Sequence, residues 1–164
     1  MEVNVRASFV LSNLVANTMI KQKSGHIVNM SPPIDMSVLS GRVAYMISKF
    51  GMTMLAQGMA GEVAPHGVAV NALWPKTIIE SQASINFGLG NRGLWRKADI
   101  MADALYEIVK HHPTKYQGQA LIDEEVLRSA GVTDFSHYAC VPGEEPMELT
   151  WNMNAGKADS LKKK

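Results

Sequence analysis

A chain of 164 residues has the size of one domain, and 46% hydrophobic with 19% charged residues is the makeup of a globular protein rather than a disordered segment. Sixteen basic against fifteen acidic residues leave no surplus charge for nucleic acid or anionic lipid, and the Lys162, Lys163 and Lys164 end reads as a solvated tail. No apolar run approaches the roughly 20 residues of a membrane span, no secretory signal opens the chain, and the single Cys140 suits a reducing compartment, so a soluble intracellular protein is expected.

Apolar residues at Phe9, Val10, Leu14, Val15, Met19 and Ile20 recur at helical spacing and predict a helix over 2–22, stopped by Lys23, Ser24 and Gly25. Residues 26–30 read as a short β-branched strand that Ser31, Pro32 and Pro33 end, because proline supplies no ladder donor. A helix over 42–64 is apolar around much of its circumference and so is expected to be covered on more than one side. Residues 67–74, GVAVNALW, form a near-continuous apolar run of strand length, the mark of a strand buried on both faces. The glycine-spaced stretch 76–97 has weak periodicity and is too long for an idle connection, which predicts a mobile or functional loop. A helix over 98–111, a strand over 118–122 and a short helix over 124–130 follow, and the tail after Thr133 has no clear period.

Alternating helices and strands imply right-handed crossovers and a parallel sheet with helices on both faces. The fold class expected is therefore α/β. Only three strands can be counted, which leaves apolar edges that something must cover and suggests part of a larger sheet.

Tyr45 and Lys49 lie four apart in a predicted helix and so project from one face about one turn apart. A phenol titrates near 10, and a fixed ammonium beside it stabilises the phenolate; lowering the pKa to about 7 takes roughly 4 kcal/mol. Such a tyrosine can give or take a hydroxyl proton. Tyr106 and Lys110 have the same spacing, so spacing alone does not choose between the pairs. What distinguishes Tyr45 is its setting, after the strand ending in Ser31-Pro32-Pro33 and before the strand ending Asn71-Ala72-Leu73-Trp74-Pro75.

Taken together, Asn4 in EVNVRASF, the HIVNMSPP strand end, YMISK and NALWPKTII stand in the order and at nearly the spacing of one family. Residues 1–138 resemble the second half of a short-chain dehydrogenase/reductase, most closely the hydroxysteroid dehydrogenase-like group, with 139–164 as an irregular tail. The resemblance implies a partial Rossmann-like doubly wound sheet, made of the last three strands and their flanking helices. It implies an NAD(P)-dependent oxidoreductase that interconverts a secondary alcohol and a carbonyl, with a lipid or acyl derivative as one substrate class. Tyr45 would be the general acid/base, and Lys49 would bind the nicotinamide ribose hydroxyls and lower the tyrosine pKa. Asn4 would hold a water linking Lys49 to solvent, and Ser31 stands next to the substrate-bonding serine position. Pro75 and Ile78 would lie against the nicotinamide, and the loop to Lys97 would close over substrate. No metal is implied. Helices 2–22 and 42–64 would pack against a second subunit as a homo-oligomer, and peroxisome and mitochondrion both remain open although no targeting signal is read.

The sequence departs from the family pattern in four places. Pro32 occupies the usual serine position, with Ser31 one residue earlier; Lys76 replaces the usual glycine after Pro75; Glu80 stands where threonine is common. No glycine-rich strand-turn-helix, the backbone cradle for a dinucleotide pyrophosphate, precedes Asn4. The expectation is therefore of weak dinucleotide binding by the chain as it stands. The alternative expectation is a non-catalytic, truncated interaction module.

Overall fold

The computed structural model describes residues 1–36 and 39–149. The sequence expectations for residues 150–164, including the lysine-rich end, lie outside the described residues. Its principal sheet has three parallel strands: β1 (Gly25–Met30), β2 (Val68–Trp74) and β5 (Ala120–Ile122), in the order β1-β2-β5. The register runs from Gly25 opposite Val68 to Met30 opposite Leu73, and from Ala72 opposite Ala120 to Trp74 opposite Ile122. β2 is central, which is why its sequence is apolar without alternation.

Alternate β2 residues feed two cores. Val68, Val70 and Ala72 pack with Ala16 of α1 (Ala7–Gln22) and with Ala56, Met59, Ala60 and Val63 of α2 (Val43–Val63). On the other face Leu73 packs with Ile100, Ala104 and Ile108 of α4 (Asp99–Val109) and with Val126 and Leu127 of α5 (Asp123–Ser129). Full burial of Val68, Val70 and Leu73 stabilises the fold by roughly 1.5–3 kcal/mol each. Helices thus cover both faces of a parallel sheet, as the alternation predicts.

Several elements differ from expectation for identifiable reasons. The first helix begins with a π-helical turn, Glu2–Arg6, in which the Val5 and Arg6 N–H groups both donate to the Met1 carbonyl. The last strand starts at Ala120 rather than at 118 because side chains take over the ladder upstream. Asn71 donates to the Tyr116 carbonyl and accepts from the Gln119 N–H, while Gln117 accepts from the Val70 N–H and donates to the Val68 and Ala60 carbonyls. α2 is buried along one stripe, Met46, Thr53, Ala56, Ala60 and Val63, while Val43, Ile47 and Met54 on its other side are exposed. The expectation of cover on more than one side is not met within this chain.

The stretch 76–97 is structured. It holds β3 (Ile78–Ile79), α3 (Gln82–Asn86) and β4 (Trp95–Arg96), and β3 and β4 pair in parallel with Ile79 opposite Arg96. Ser81 caps α3 in a reciprocal capping box with Ser84, the Trp95 indole donates to the Leu89 carbonyl, and Glu80 pairs with Arg92. Periodicity misses it because two-residue strands and a five-residue helix are shorter than any window that reveals a period. Beyond 138 the chain runs back along the body: Ala139 bridges Arg96, Glu148 bridges Thr77, and the Tyr138 hydroxyl donates to Asp103 at 2.6 Å. Among the described residues no helix is long and apolar enough to cross a membrane.

Candidate active site

Open parallel sheets carry their ligand sites at the carboxyl ends of the strands. Ser31 follows β1, Pro75 through Ile78 follow β2, Asp123 and Glu124 follow β5, and Tyr45 opens the helix that returns from β1. All lie at that edge. Tyr106 lies at the opposite one: α4 ends beside the start of β1, where the His26 ring bonds the His111 carbonyl at 3.0 Å. Lys110 is already committed to Glu107 at 2.6 Å. The topology thus separates two pairs that spacing could not.

Tyr45 is 51% exposed and Lys49 half-buried, one turn apart on α2. Partial burial pushes the Tyr45 phenol above its usual pKa, against a smaller downward pull from the Arg42 guanidinium. Burial pushes the Lys49 ammonium down, and Lys49 makes no ion pair among the described residues. The lowering of Tyr45 by Lys49 expected from sequence is therefore not what these side chains produce, because desolvation outweighs the pull of neighbouring charge.

Asn4 reaches the site through Ser48. Its side-chain amide donates to the Ser48 hydroxyl at 3.0 Å, and that hydroxyl donates to the Tyr45 carbonyl at 2.7 Å. The π-helical turn sits close enough to α2 for this contact because Gly51 has no side chain; a Cβ there would come within 2.9 Å of Val5 Cγ2. Asn4 thus meets the residue next to Lys49 directly. Ser48 was not singled out from sequence, although a hydroxyl one residue before the lysine was available as a signal.

The Ser31 side chain is engaged with Thr53 of α2. It is buried, and its hydroxyl shares a hydrogen bond of 2.7 Å with Thr53, whose oxygen also accepts from the Trp74 indole at 3.2 Å. Thr53 lies eight residues beyond Tyr45, ~12 Å along the axis of α2. The hydroxyl therefore tethers β1 to α2.

Pro75 and Ile78 are half-buried, and Thr77 between them is fully buried. Lys76, the residue in the usual glycine position, turns toward α5. Its N–H donates to Asp123 Oδ1 at 2.9 Å, and its ammonium pairs with Glu124 at 2.8 Å and Glu148 at 2.7 Å. Glu124, 2% exposed, also pairs with Arg96 at 2.6 Å and Arg128 at 2.8 Å. Burial alone would raise its pKa, but hydrogen bonds from Lys76 and Arg128 and the charge of Arg96 outweigh it and hold the carboxyl at about 2. Burial pushes the neighbouring Asp123 up, with bonds from the Lys76 and Glu124 N–H groups opposing. Neither acidic residue stands out in sequence, because Asp-Glu-Glu opening a short helix reads as an ordinary solvated first turn.

The arrangement offers a half-exposed phenol, an ammonium without an ion pair among the described residues, and half-buried Pro75 and Ile78 at the same edge of the sheet. These suit the nicotinamide-ribose half of a dinucleotide: a flat ring against Pro75 and Ile78 and ribose hydroxyls on the ammonium.

Known proteins place the chain in a family. The family described as short chain dehydrogenase matches residues 1–87. Hydroxysteroid dehydrogenase-like protein 2 of Danio rerio is 42% identical over 144 residues, covering 86% of this chain and 34% of that protein. The chain thus spans about a third of the length of the curated relatives it matches. A crystal structure of a short chain dehydrogenase from Mycobacterium thermoresistibile superposes with a TM-score of 0.77 at 36% identity, over 90% of this chain and 54% of that one. A 4-hydroxyisoleucine dehydrogenase complexed with NADH superposes with a TM-score of 0.58 at 25% identity, over 74% of this chain and 54% of that one.

Proposed function

Since this chain belongs to the short chain dehydrogenase family, we propose that it carries the proton-transfer half of an NAD(P)-dependent oxidoreductase site acting on a secondary alcohol or carbonyl, with lipid or acyl derivatives as the substrate class. The observation that carries this reading is that Tyr45 and Lys49 share one face of α2 at the carboxyl edge of the sheet, with Asn4 linked beside them and Pro75 and Ile78 following β2 at the same edge. Bound NAD or NADP would supply or take up the hydride. Tyr45 would give the hydroxyl proton in reduction and take it in oxidation. Lys49, whose ammonium is unpaired among the described residues, would donate to the ribose hydroxyls. Asn4 would orient Lys49 and Tyr45 through Ser48, with a water joining the chain to solvent. Ser31, bonded to Thr53, would hold the β1 end against α2 rather than meet substrate.

A titration with nicotinamide mononucleotide, followed by NMR, tests the reading because that probe needs no pyrophosphate cradle. Shifts confined to Tyr45, Lys49 and Ile78, and lost in Lys49→Ala, support it; shifts elsewhere, or none at millimolar probe, refute it.

A second reading has its own support. Phe9, Leu11 and Leu14 of α1 and Val43, Ile47 and Met54 of α2 are each at least half exposed, an apolar area of the kind that marks an interaction surface. Self-association through these two helices would cover it, in a catalytic oligomer or in a non-catalytic interaction module. Sedimentation equilibrium separates the two: a stable dimer that binds nicotinamide mononucleotide favours the catalytic form, and a dimer that does not favours the module.

A further inference from the structure

The charge cluster at Glu124 lies outside the proton-transfer site, and its connections are specific. Glu124 opens α5, whose Val126 and Leu127 are fixed in the core against α4. From that anchor one carboxylate reaches two points near Pro75 and Ile78. Oε1 accepts from the Lys76 ammonium, one residue past Pro75 and two before Ile78. Oε2 pairs with Arg96, which stands opposite Ile79 in the β3–β4 ladder. The adjacent Asp123 Oδ1 accepts the Lys76 backbone N–H. Segment 76–79 is therefore held from its front by a side chain and a backbone amide, and from behind through its strand partner. Arg128, one turn along α5, shares Oε1 with Lys76 at 2.8 Å.

The three cations differ in how replaceable Glu124 is for them. Lys76 keeps Glu148, and Arg128, with its side chain 54% exposed, keeps water. Arg96 is 8% exposed, its Nε and Nη1 are both buried without a hydrogen-bond partner, and its ion pair among the described residues is the 2.6 Å approach of Nη1 to Glu124 Oε2, a charge contact rather than a hydrogen bond. A carboxylate that serves only the stability of α5 would need one partner on its own helix, which Arg128 already provides. Lys76 on the segment after β2 and Arg96 on its strand partner β4 tie the carboxylate to that segment.

We propose that Glu124 is a positioning residue that clamps segment 76–79 through Lys76 and Arg96, and that the ligand it prepares this segment for is the nicotinamide ring of a dinucleotide. The identity of the ligand rests on the function proposed above; the clamp does not. Lys76, in place of a small residue after Pro75, is then the clamp's near arm and points away from the ring.

Hydrogen exchange over residues 76–80, with the β2 amides as the reference for global stability, tests the clamp. In Lys76→Met and in Glu124→Gln, exchange over 76–80 should quicken by about tenfold or more relative to β2, and Lys76→Arg, which keeps the charge and the donor, should restore it. Because Glu124→Gln strands Arg96 and can unfold the chain, the Lys76→Met and Lys76→Arg pair carries the decision. Unchanged relative protection in Lys76→Met overturns the clamp, as does a loss shared equally by β2. Nicotinamide mononucleotide reports the ligand separately. A several-fold weaker apparent Kd in Lys76→Met, recovered in Lys76→Arg, supports the positioning role. An unchanged Kd with faster exchange overturns that role. Absence of binding by the unsubstituted chain, with the exchange pattern as expected, leaves the clamp standing and overturns the function proposed above.

Discussion

Replacing Glu124 by glutamine should remove a defined, pH-dependent part of the folding stability. An unfolded glutamate titrates near 4.5, and the folded one at about 2, a gap of about 2.5 units. At ~1.4 kcal/mol per unit the ionised form contributes about 3 kcal/mol, present in full above pH 4.5 and lost as pH falls through about 2. That agrees with the 3–5 kcal/mol typical for breaking a buried pair from one side, since Arg96 is left without its counter-ion. Asp123 works in the opposite sense. Burial, and to a smaller degree the charge of Glu124, raises its pKa in the fold, so its contribution falls as pH rises through the carboxylate range and is smaller in Glu124→Gln, where that charge is gone. Urea unfolding at stepped pH measures the difference between the two proteins. With slopes of roughly 1–3 kcal/mol per molar, the midpoint of Glu124→Gln should lie about 1–3 M below the parent at pH 7. The gap should close between pH 4.5 and about 2. A gap that stays constant across that range would mean that the carboxylate is not held ionised by Lys76, Arg96 and Arg128, and the clamp would lose its energetic basis.

Other consequences can be checked with single variants. The Tyr45 phenol should ionise above its ordinary value of 10.0 in the 164-residue chain, as read from the ultraviolet phenolate signal missing in Tyr45→Phe; ionisation below that value would show that Lys49 already acts on it. Ser31→Ala should cost about 1–2 kcal/mol in urea through the lost bond to Thr53, while leaving nicotinamide mononucleotide binding unaltered; weakened binding would return Ser31 to the substrate site. Gly67→Ala should cost more than about 1 kcal/mol, because φ there is +75° and the added carbon would press on the Lys23 backbone carbonyl; a neutral result would contradict the close passage of β2 past the end of α1.

Most of the fold was legible because its main elements are long enough to declare a period. The β2 run and the α1 and α2 patterns give the layers, and the alternation gives parallel strands. Two kinds of feature were not legible. Side chains that replace backbone, such as Asn71 and Gln117 standing in for ladder bonds, leave no periodic trace. Charge partners distant in sequence, such as Lys76 and Glu124, look like separate surface residues until the sheet brings β2 and β5 side by side. The site divides along the same line. Tyr45 and Lys49 are local in sequence and were readable as a pair. Whether Ser31 faces substrate or Thr53 depends on which way a strand end turns, and one inserted proline position is enough to hide that.

The approach of the π-helical turn to α2 has a consequence for how this protein tolerates change. Asn4 depends on Ser48 for its bond, Ser48 holds the Tyr45 carbonyl, and Val5 depends on the bare α-carbon of Gly51 for its place. Residues coupled in this way do not contribute independently. A larger residue at position 51 would displace the turn and make the identity of position 4 irrelevant to Tyr45, while a change at Ser48 would leave Gly51 guarding a contact with no purpose. The three positions therefore form one unit of variation, and a lineage that alters one of them is released from constraint at the other two.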